Sequence, residues 1–322
     1  MSVVRTLRLA ILTVAFSVTL SYLPSTHAQE AADPALVGAI DVHAHMGPDS
    51  QTHGPRALDI VDMAKLAKAR GMRGFVVKFH TTDTSSLAAV VRKVVPGVEV
   101  YGAIALNRGV GGINPEAVRL MARTTGGWGR IVWMPSFEAE DAVKRSSNKN
   151  APFVPATRNG ELLPEVKEVL DIIAKTRTAD SNGELVLATS HLSPEESLLL
   201  LREARDRGVK HMVVTHAAPA GRIWSLAQMQ EAVTLGAFIE FVAARLFRDT
   251  DAESARATVD TVRKVGVEHW VFSSDLGQQG LPLPPDGLGL KAQWLRNEGF
   301  TDRELTVMMK ENPARLLGLP LQ

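Results

Sequence analysis

The sequence predicts an α/β protein, a (β/α)8 TIM-type barrel with a hairpin-bearing insertion after its fourth strand. Short β-branched runs alternate with longer amphipathic segments, the pattern of parallel βα units. The runs number eight. They occupy roughly 285 residues, against about 250 plus insertions for a barrel of this kind. The competing open, doubly wound sheet usually carries a glycine-rich phosphate turn after its first strand. Here the first strand runs into Asp41-Val42-His43-Ala44-His45-Met46-Gly47, which is no such turn.

The first 28 residues stand apart from the alternation. Arg5 and Arg8 precede the apolar run Leu9 to Leu20, Pro24 breaks it, and Thr26-His27-Ala28 ends on a small residue. This three-part layout reads as a secretory signal peptide. Thr13, Ser17, Thr19 and Ser21 interrupt the stretch Leu9 to Leu23, which weighs against an anchor needing about 20 predominantly apolar residues. The expectation is a periplasmic or secreted protein with no stable membrane association after cleavage. Residues 29–35 read as a short linker and 36–320 as the barrel.

Within the barrel, Ala39 to Val42 is the first strand. A helix over Ala57 to Ala69 follows and closes at Gly71, a residue suited to the left-handed C-terminal position. Gly74 to Phe79, Val98 to Leu106 and Arg130 to Met134 are strands two to four, mostly apolar with little alternation, as a sheet covered on both faces requires. The long connection Ser136 to Pro164 contains Asn159-Gly160, a tight hairpin turn that would project as a lid. Leu185 to Thr189 is strand five. Ser193-Pro194-Glu195-Glu196 then opens a helix with a cap, a first-turn proline and a capping-box glutamate. His211 to Thr215, Ala237 to Val242 and Trp270 to Ser273 complete the eight. Thr301-Asp302-Arg303-Glu304 repeats the capping box, and Asn312-Pro313 starts a last short helix.

Composition narrows the chemistry. The 322 residues are 45% apolar and 22% charged, and 36 basic against 35 acidic side chains give a formal charge of +1, so nothing in the balance asks for nucleic acid. Cysteine is absent, which excludes disulfides, a thiolate nucleophile, iron-sulfur clusters and cysteine-based zinc sites. Nine histidines remain. His43 and His45 end strand one, Lys78 and His80 end strand two, His191 follows strand five, His216 ends strand six and Asp275 ends strand eight. Barrels keep their chemistry on this C-terminal rim. Of the others, His27 lies in the signal, His53 in the first loop, and His211 and His269 at strand beginnings on the structural face.

Side chains at i and i+2 on a strand point the same way, so His43 and His45 converge, as do Lys78 and His80. Neutral imidazole and carboxylate are good ligands for zinc and similar divalent ions, one or two of them. Such an ion lowers the pKa of a bound water toward neutrality and supplies hydroxide, while a neighbouring carboxylate accepts and returns the proton. Other readings stand beside these. Asp275 also fits as a cap on the turn Asp275-Leu276-Gly277, Lys78 as a partner for a carboxylate, and His80 as a ligand, a substrate contact or a plain loop residue. Glu240, inside strand seven, reads as a satisfied structural carboxylate and a minor candidate. For substrate, the loop Asn107 to Pro115 reads either as an anion cradle or as a flexible turn, and Arg56 and Arg222 are candidate clamps.

Asp41-Val42-His43-Ala44-His45, a histidine after each of strands five and six, an aspartate ending strand eight, and the closing Asn312-Pro313-Ala314-Arg315-Leu316-Leu317-Gly318 resemble the amidohydrolase superfamily of metal-dependent hydrolases. The likeness covers residues 36 to 320 and is closest to an uncharacterised amidohydrolase-related branch, with Val-Lys-x-His on strand two and Ser-His-Leu-Ser-Pro-Glu-Glu after strand five. The resemblance implies that His43, His45 and Asp275 bind one divalent metal. His191 and His216 would bind a second, or one would complete a single-metal set while the other polarises substrate. Asp275 would double as proton shuttle. Strand four departs from the pattern: it ends Val132-Trp133-Met134-Pro135-Ser136, without the bridging carboxylated lysine or glutamate of binuclear members. Either the site is mononuclear, or a carboxylated Lys78 bridges two ions, or Lys78 stays cationic and holds an anionic substrate. A free ammonium beside two divalent ions is disfavoured by like-charge repulsion.

The leading expectation is a hydrolase of amides, lactones or esters acting on a small molecule, with a homo-oligomer left open. Phosphoester hydrolysis stays within reach of the same motif. The alternatives are a non-oxidative decarboxylase of a small organic acid and a non-catalytic periplasmic ligand-binding barrel.

Overall fold

A computed structural model describes residues 33–50, 54–218, 221, 223–248 and 252–322. The signal segment 1–28, His53 and Arg222 lie outside the described residues. Eight parallel strands follow one another in chain order: β1 Ile40–Ala44, β2 Gly74–Val77, β3 Glu99–Ala105, β4 Gly129–Trp133, β5 Val186–Ala188, β6 His211–Val214, β7 Ala237–Val242 and β8 Trp270–Ser273. The ring closes where β8 returns to β1. There the Asp275 amide donates to the His43 carbonyl at 2.7 Å, and the His45 amide to the Leu276 carbonyl at 2.8 Å. The expected (β/α)8 barrel is therefore the fold, with all eight strand runs in place.

Two apolar shells hold it. Ile40, Val42, Val76, Ala103, Ile131, Trp133, Val186, Val213 and Val271 fill the barrel interior, and a larger outer shell lies between strands and helices. The helix Ile60–Ala69 shows how the outer shell forms. It buries Ile60, Met63, Ala64 and Ala67, the 3.6-residue spacing of one helix face. It begins three residues later than Ala57 because the Asp59 side chain accepts from the amides of Val61 and Asp62 and so fixes the cap. Ser193 with Glu196 and Thr301 with Glu304 form the two expected capping boxes.

The N-terminal end of the barrel is sealed from below. The helix Asp302–Thr306 runs through a π-helical stretch, Val307–Glu311, into Asn312–Leu316, so Asn312 lies within a continuous helix instead of capping a new one. The Asn312 amide is buried and donates to the carbonyls of Glu268 and Trp270 at 3.0 and 2.7 Å, tying this helix to the start of β8. Ala314, Leu316 and Leu317 then complete the interior apolar cluster.

The connection after β4 contains the short helix Glu140–Arg145 and a hairpin of Thr157–Arg158 with Glu161–Leu162. Asn159 and Gly160 both take positive φ, 53° and 79°, as a primed two-residue turn requires. The hairpin packs sideways, with Thr157 Oγ1 donating to Glu196, and none of its residues lines the main cavity at the barrel mouth. From this connection it is Phe137 that does.

Candidate metal centre on the barrel rim

The first histidine pair depends on an irregularity in β1. Ile40 and Val42 face the barrel interior, so strict alternation would send His43 outward. Pairing between β1 and β2 shifts register between Asp41 and Ala44. Asp41 pins the shift: one carboxylate oxygen accepts from the amides of His43 and Ser274, at 3.1 and 2.9 Å. Burial pushes the Asp41 carboxyl up to about 7, and the hydrogen bonds from Ser274 work against that rise. His43 and His45 are thereby both buried among the rim residues.

Their nitrogens are individually assigned. Glu240 on β7 stands 2.9 Å from His43 Nδ1 and also accepts from Ser273 Oγ at 2.7 Å. This holds the ring so that Nε2 faces the site, where Asp275 Oδ1 lies 3.2 Å away and Lys78 Nζ 2.9 Å away. The Lys78 carbonyl takes His45 Nδ1 at 2.9 Å, and His45 Nε2 reaches Asp275 Oδ1 at 3.0 Å. His216 Nε2 lies 3.5 Å from Asp275 Oδ2 and 4.0 Å from Glu240, and it is buried without a hydrogen-bond partner. Ligand atoms of His43, His45 and Asp275 all lie within 4.8 Å of one another, and so do those of His43, His216 and Glu240. Two imidazole nitrogens and a carboxylate oxygen meeting at one point, beside an orphaned imidazole nitrogen, fit a divalent ion such as zinc.

The backbone is strained where these residues project. Ser190, His216 and Asp275 take φ of 55°, 54° and 51°, left-handed values that cost a non-glycine residue on the order of 1–3 kcal/mol. The turn after Asp275 needs Gly277: a Cβ there would stand 1.7 Å from the His45 carbonyl oxygen.

Electrostatics favour neutral imidazoles and an ionised Asp275. Burial holds His43, His45 and His191 below the usual range and lowers His216 to about 3. Burial alone would raise Asp275, but His43, His216 and His45 outweigh it and keep the carboxyl well below the ordinary value. Glu240 is pushed up by burial. Lys78 is lowered to about 8 by burial, and its Nζ sits 4.0 Å over the Trp133 ring. Trp133, on the strand that lacks a bridging group, is wholly buried against His43 at 4.7 Å.

The remaining predicted residues divide. His80 stacks on His45 at 5.0 Å and stands 3.0 Å from Ser136 Oγ, while His191 lies 5.2 Å from His216 but belongs to neither ligand group. Arg56 lines the cavity and is paired with Asp49 at 2.6 Å. Asn107 is not in the cavity wall. Its amide donates to the His80 carbonyl and Ser136 Oγ and accepts from the Ser136 amide, so its side chain braces two rim loops. The loop behind it lines a separate surface groove, and the helix start at Pro115 is capped by the Asn114 side chain, so the expected anion cradle is not at the mouth. Arg222 lies outside the described residues.

A cavity of about 480 Å³ opens above the cluster, within the range of small-molecule sites. It is lined by His45, Lys78, His80, His191, His216 and Asp275, and by residues the sequence reading missed: Phe137, Arg245, Arg248 and Gln278. Arg245 and Arg248 come from the helix Ala243–Arg248, which follows β7 directly. Their i, i+3 spacing immediately after a strand end was the available signal.

A family model described as "Family of unknown function (DUF6282)" matches residues 38–240. No curated protein matches the chain. Among solved structures, a phosphotriesterase homology protein from Escherichia coli, complexed with phosphate in its active site, is 17% identical. That alignment covers 87% of this chain and 99% of the other, with a TM-score of 0.58. An amidohydrolase from Pseudomonas aeruginosa is 14% identical over 88% and 96%, with a TM-score of 0.56. A lactonase from Listeria monocytogenes is 14% identical over 88% and 95%, with a TM-score of 0.55. At such identities the likeness is one of fold.

Proposed function

Because the chain belongs to this family of unknown function, DUF6282, whose description names no reaction, we propose its activity from the rim itself: a metal-dependent hydrolase acting on an amide, lactone or ester of a small molecule. The observation that carries the reading is the meeting of His43 Nε2, His45 Nε2 and Asp275 Oδ1 beside the mouth cavity, whose wall includes His45 and Asp275. Solved structures of the same fold described as an amidohydrolase and a lactonase support it.

His43, His45 and Asp275 would hold the ion, with His216 available to the same ion or to a second. A divalent ion there supplies Lewis acidity, making water more acidic and a carbonyl more electrophilic. Glu240 fixes the His43 ring, an outer carboxylate to a ligating histidine. Asp275 Oδ2 faces His216 and would take a proton from water and return it to the leaving group. The neutral His216 ring, with an unsatisfied Nε2, would hydrogen-bond the substrate oxygen. Lys78 decides the ion count: carboxylated it would bridge two, and as an ammonium it is compatible with one. The working location would be the periplasm or the exterior, after loss of residues 1–28.

Elemental analysis of the purified protein should find divalent metal, and a panel of lactones, esters and amides should contain substrates whose turnover stops on chelation and returns with zinc. Metal-free protein with undiminished turnover would sink the reading. Carbon dioxide release without water consumption would replace hydrolysis by decarboxylation. A mass increment of one carbon dioxide on Lys78 would mark the two-ion form.

A further inference from the structure

A second cavity of about 190 Å³ opens off the first and shares His191, His216 and Arg245 with it. Arg145, at the end of the helix Glu140–Arg145, enters its wall from the connection after β4. Ser190, Leu192 and Trp224 are all buried there. The Ser190 hydroxyl has no hydrogen-bond partner, although the residue is held at φ 55°. A buried hydroxyl with no protein partner is open to a ligand or a water.

Charge identifies the ligand's chemistry. The mouth cavity is lined by Lys78, Arg245, Arg248 and an Arg56 already paired with Asp49, with Asp275 as the acid in its wall, and a divalent ion would add to the positive potential. The side lobe adds Arg145. Arg145 also pairs with Asp141 at 2.6 Å, but a guanidinium carries five N–H donors in a fork, enough for two partners. Leu192 and Trp224 give the lobe buried apolar walls, while the Arg145 side chain reaches it from the exposed side. Both helices that start nearby, Pro194–Asp206 and Leu226–Thr234, carry closed capping boxes. Guanidinium and hydroxyl groups are then the donors on offer, a set that suits a planar monoanion.

Resting on the hydrolase reading of the rim, we propose that this side lobe is the substrate's anion subsite. It takes a carboxylate between Arg245 and Arg145, with Ser190 Oγ donating, while the scissile carbonyl lies over His43, His45 and Asp275. Arg245, which lines both lobes, would set the distance between the two ends of the substrate. The substrate is thus a small ester, lactone or amide that also carries a free carboxylate.

The test is binding, with no need for turnover. The purified chain, its metal content measured, is titrated calorimetrically with glutarate, with its neutral analogue glutaramide and with inorganic phosphate. The titrations are repeated on Arg245→Gln, Arg145→Gln and Ser190→Ala. Arg245→Gln should weaken glutarate about tenfold or more and Arg145→Gln by several-fold, as expected for charge-assisted pairs, with glutaramide and metal content unmoved. Ser190→Ala should cost glutarate a few-fold. Glutarate affinity within twofold of the parent in both arginine variants overturns the proposal. So does phosphate binding tighter than glutarate and lost in the same variants, which would make the lobe a phosphoryl site. Turnover that survives chelation would remove the hydrolase reading while leaving an arginine-dependent glutarate site in place, so the two failures are distinguishable.

Discussion

The two ends of β6 carry the same side chain in opposite circumstances. At its start His211 Nε2 meets Glu184 at 2.6 Å, and that carboxylate also accepts from Lys210 at 2.9 Å and Arg177 at 2.6 Å. Just past its end His216 is half-buried, its backbone left-handed and its buried Nε2 without a hydrogen-bond partner. The first is a completed contact. The second stands between two carboxylates, 3.5 and 4.0 Å away, and waits for a ligand. Asn312, Leu316 and Leu317 close the N-terminal end, whereas the C-terminal rim gathers Ser190, His216 and Asp275 in left-handed backbone together with the unpaired Ser190 Oγ and His216 Nε2. Stability and chemistry are assigned to opposite ends, and the comparison can be broken by substitution at either.

The largest effect should come from the rim. His43→Ala and Asp275→Ala should each lower bound metal and kcat/KM by more than the roughly 10- to 100-fold that changes outside the ligand shell cost. His211→Ala, at the other end of the same sheet, should leave metal content and turnover within twofold. Elemental analysis beside a kinetic assay checks both, and an equal loss in His211→Ala would abolish the distinction. Next in size, Leu317→Ala removes a buried side chain from the bottom of the interior cluster. It should cost about 2–5 kcal/mol of stability, read by denaturant unfolding, with metal binding retained below the transition.

Most of the fold and the histidine cluster of the candidate site were legible in the sequence. Eight runs of the right length and two capping boxes are local signals, and each histidine at a strand end needed only the strand to be marked. What stayed hidden depends on contacts between distant segments. The register shift in β1 is fixed by Asp41 bonding to Ser274, 233 positions away, and no local pattern announces it. Glu240 looked like any buried carboxylate until its partner, His43, lay 2.9 Å from it. Asn107 read as a substrate contact because it opens a glycine-bearing loop that runs into a helix start, yet its donors are spent on His80 and Ser136. Arg245 and Arg248 were less visible because they lie on the turns of a helix, three and six residues past Val242 at the end of β7.

Glu240 sharpens the comparison, since it joins the interior to the rim. Glu240→Gln keeps the volume but weakens the hold on His43 Nδ1 and Ser273 Oγ. Metal affinity should fall about 10- to 100-fold, with the loss recovered at high zinc. A metal titration followed by activity reads this. No change would mean that packing alone holds the ring.

The smallest effect belongs to Glu184, and its sign is fixed by linkage. His211 and Lys210 donate to this carboxylate and lower it from an ordinary 4.5 to about 2. A group depressed on folding contributes stability above its unfolded value of 4.5, and that contribution fades as pH falls toward 2. Because the carboxylate is partly exposed and two of its partners, Lys210 and Arg177, are exposed, screening leaves less than about 1 kcal/mol. Glu184→Gln should therefore melt slightly below the parent at pH 7, by no more than a few degrees, and the gap should close by pH 2. A gap that widened on acidification would show that the contact opposes folding, and His211 would then resemble His216 more than the two ends of β6 allow.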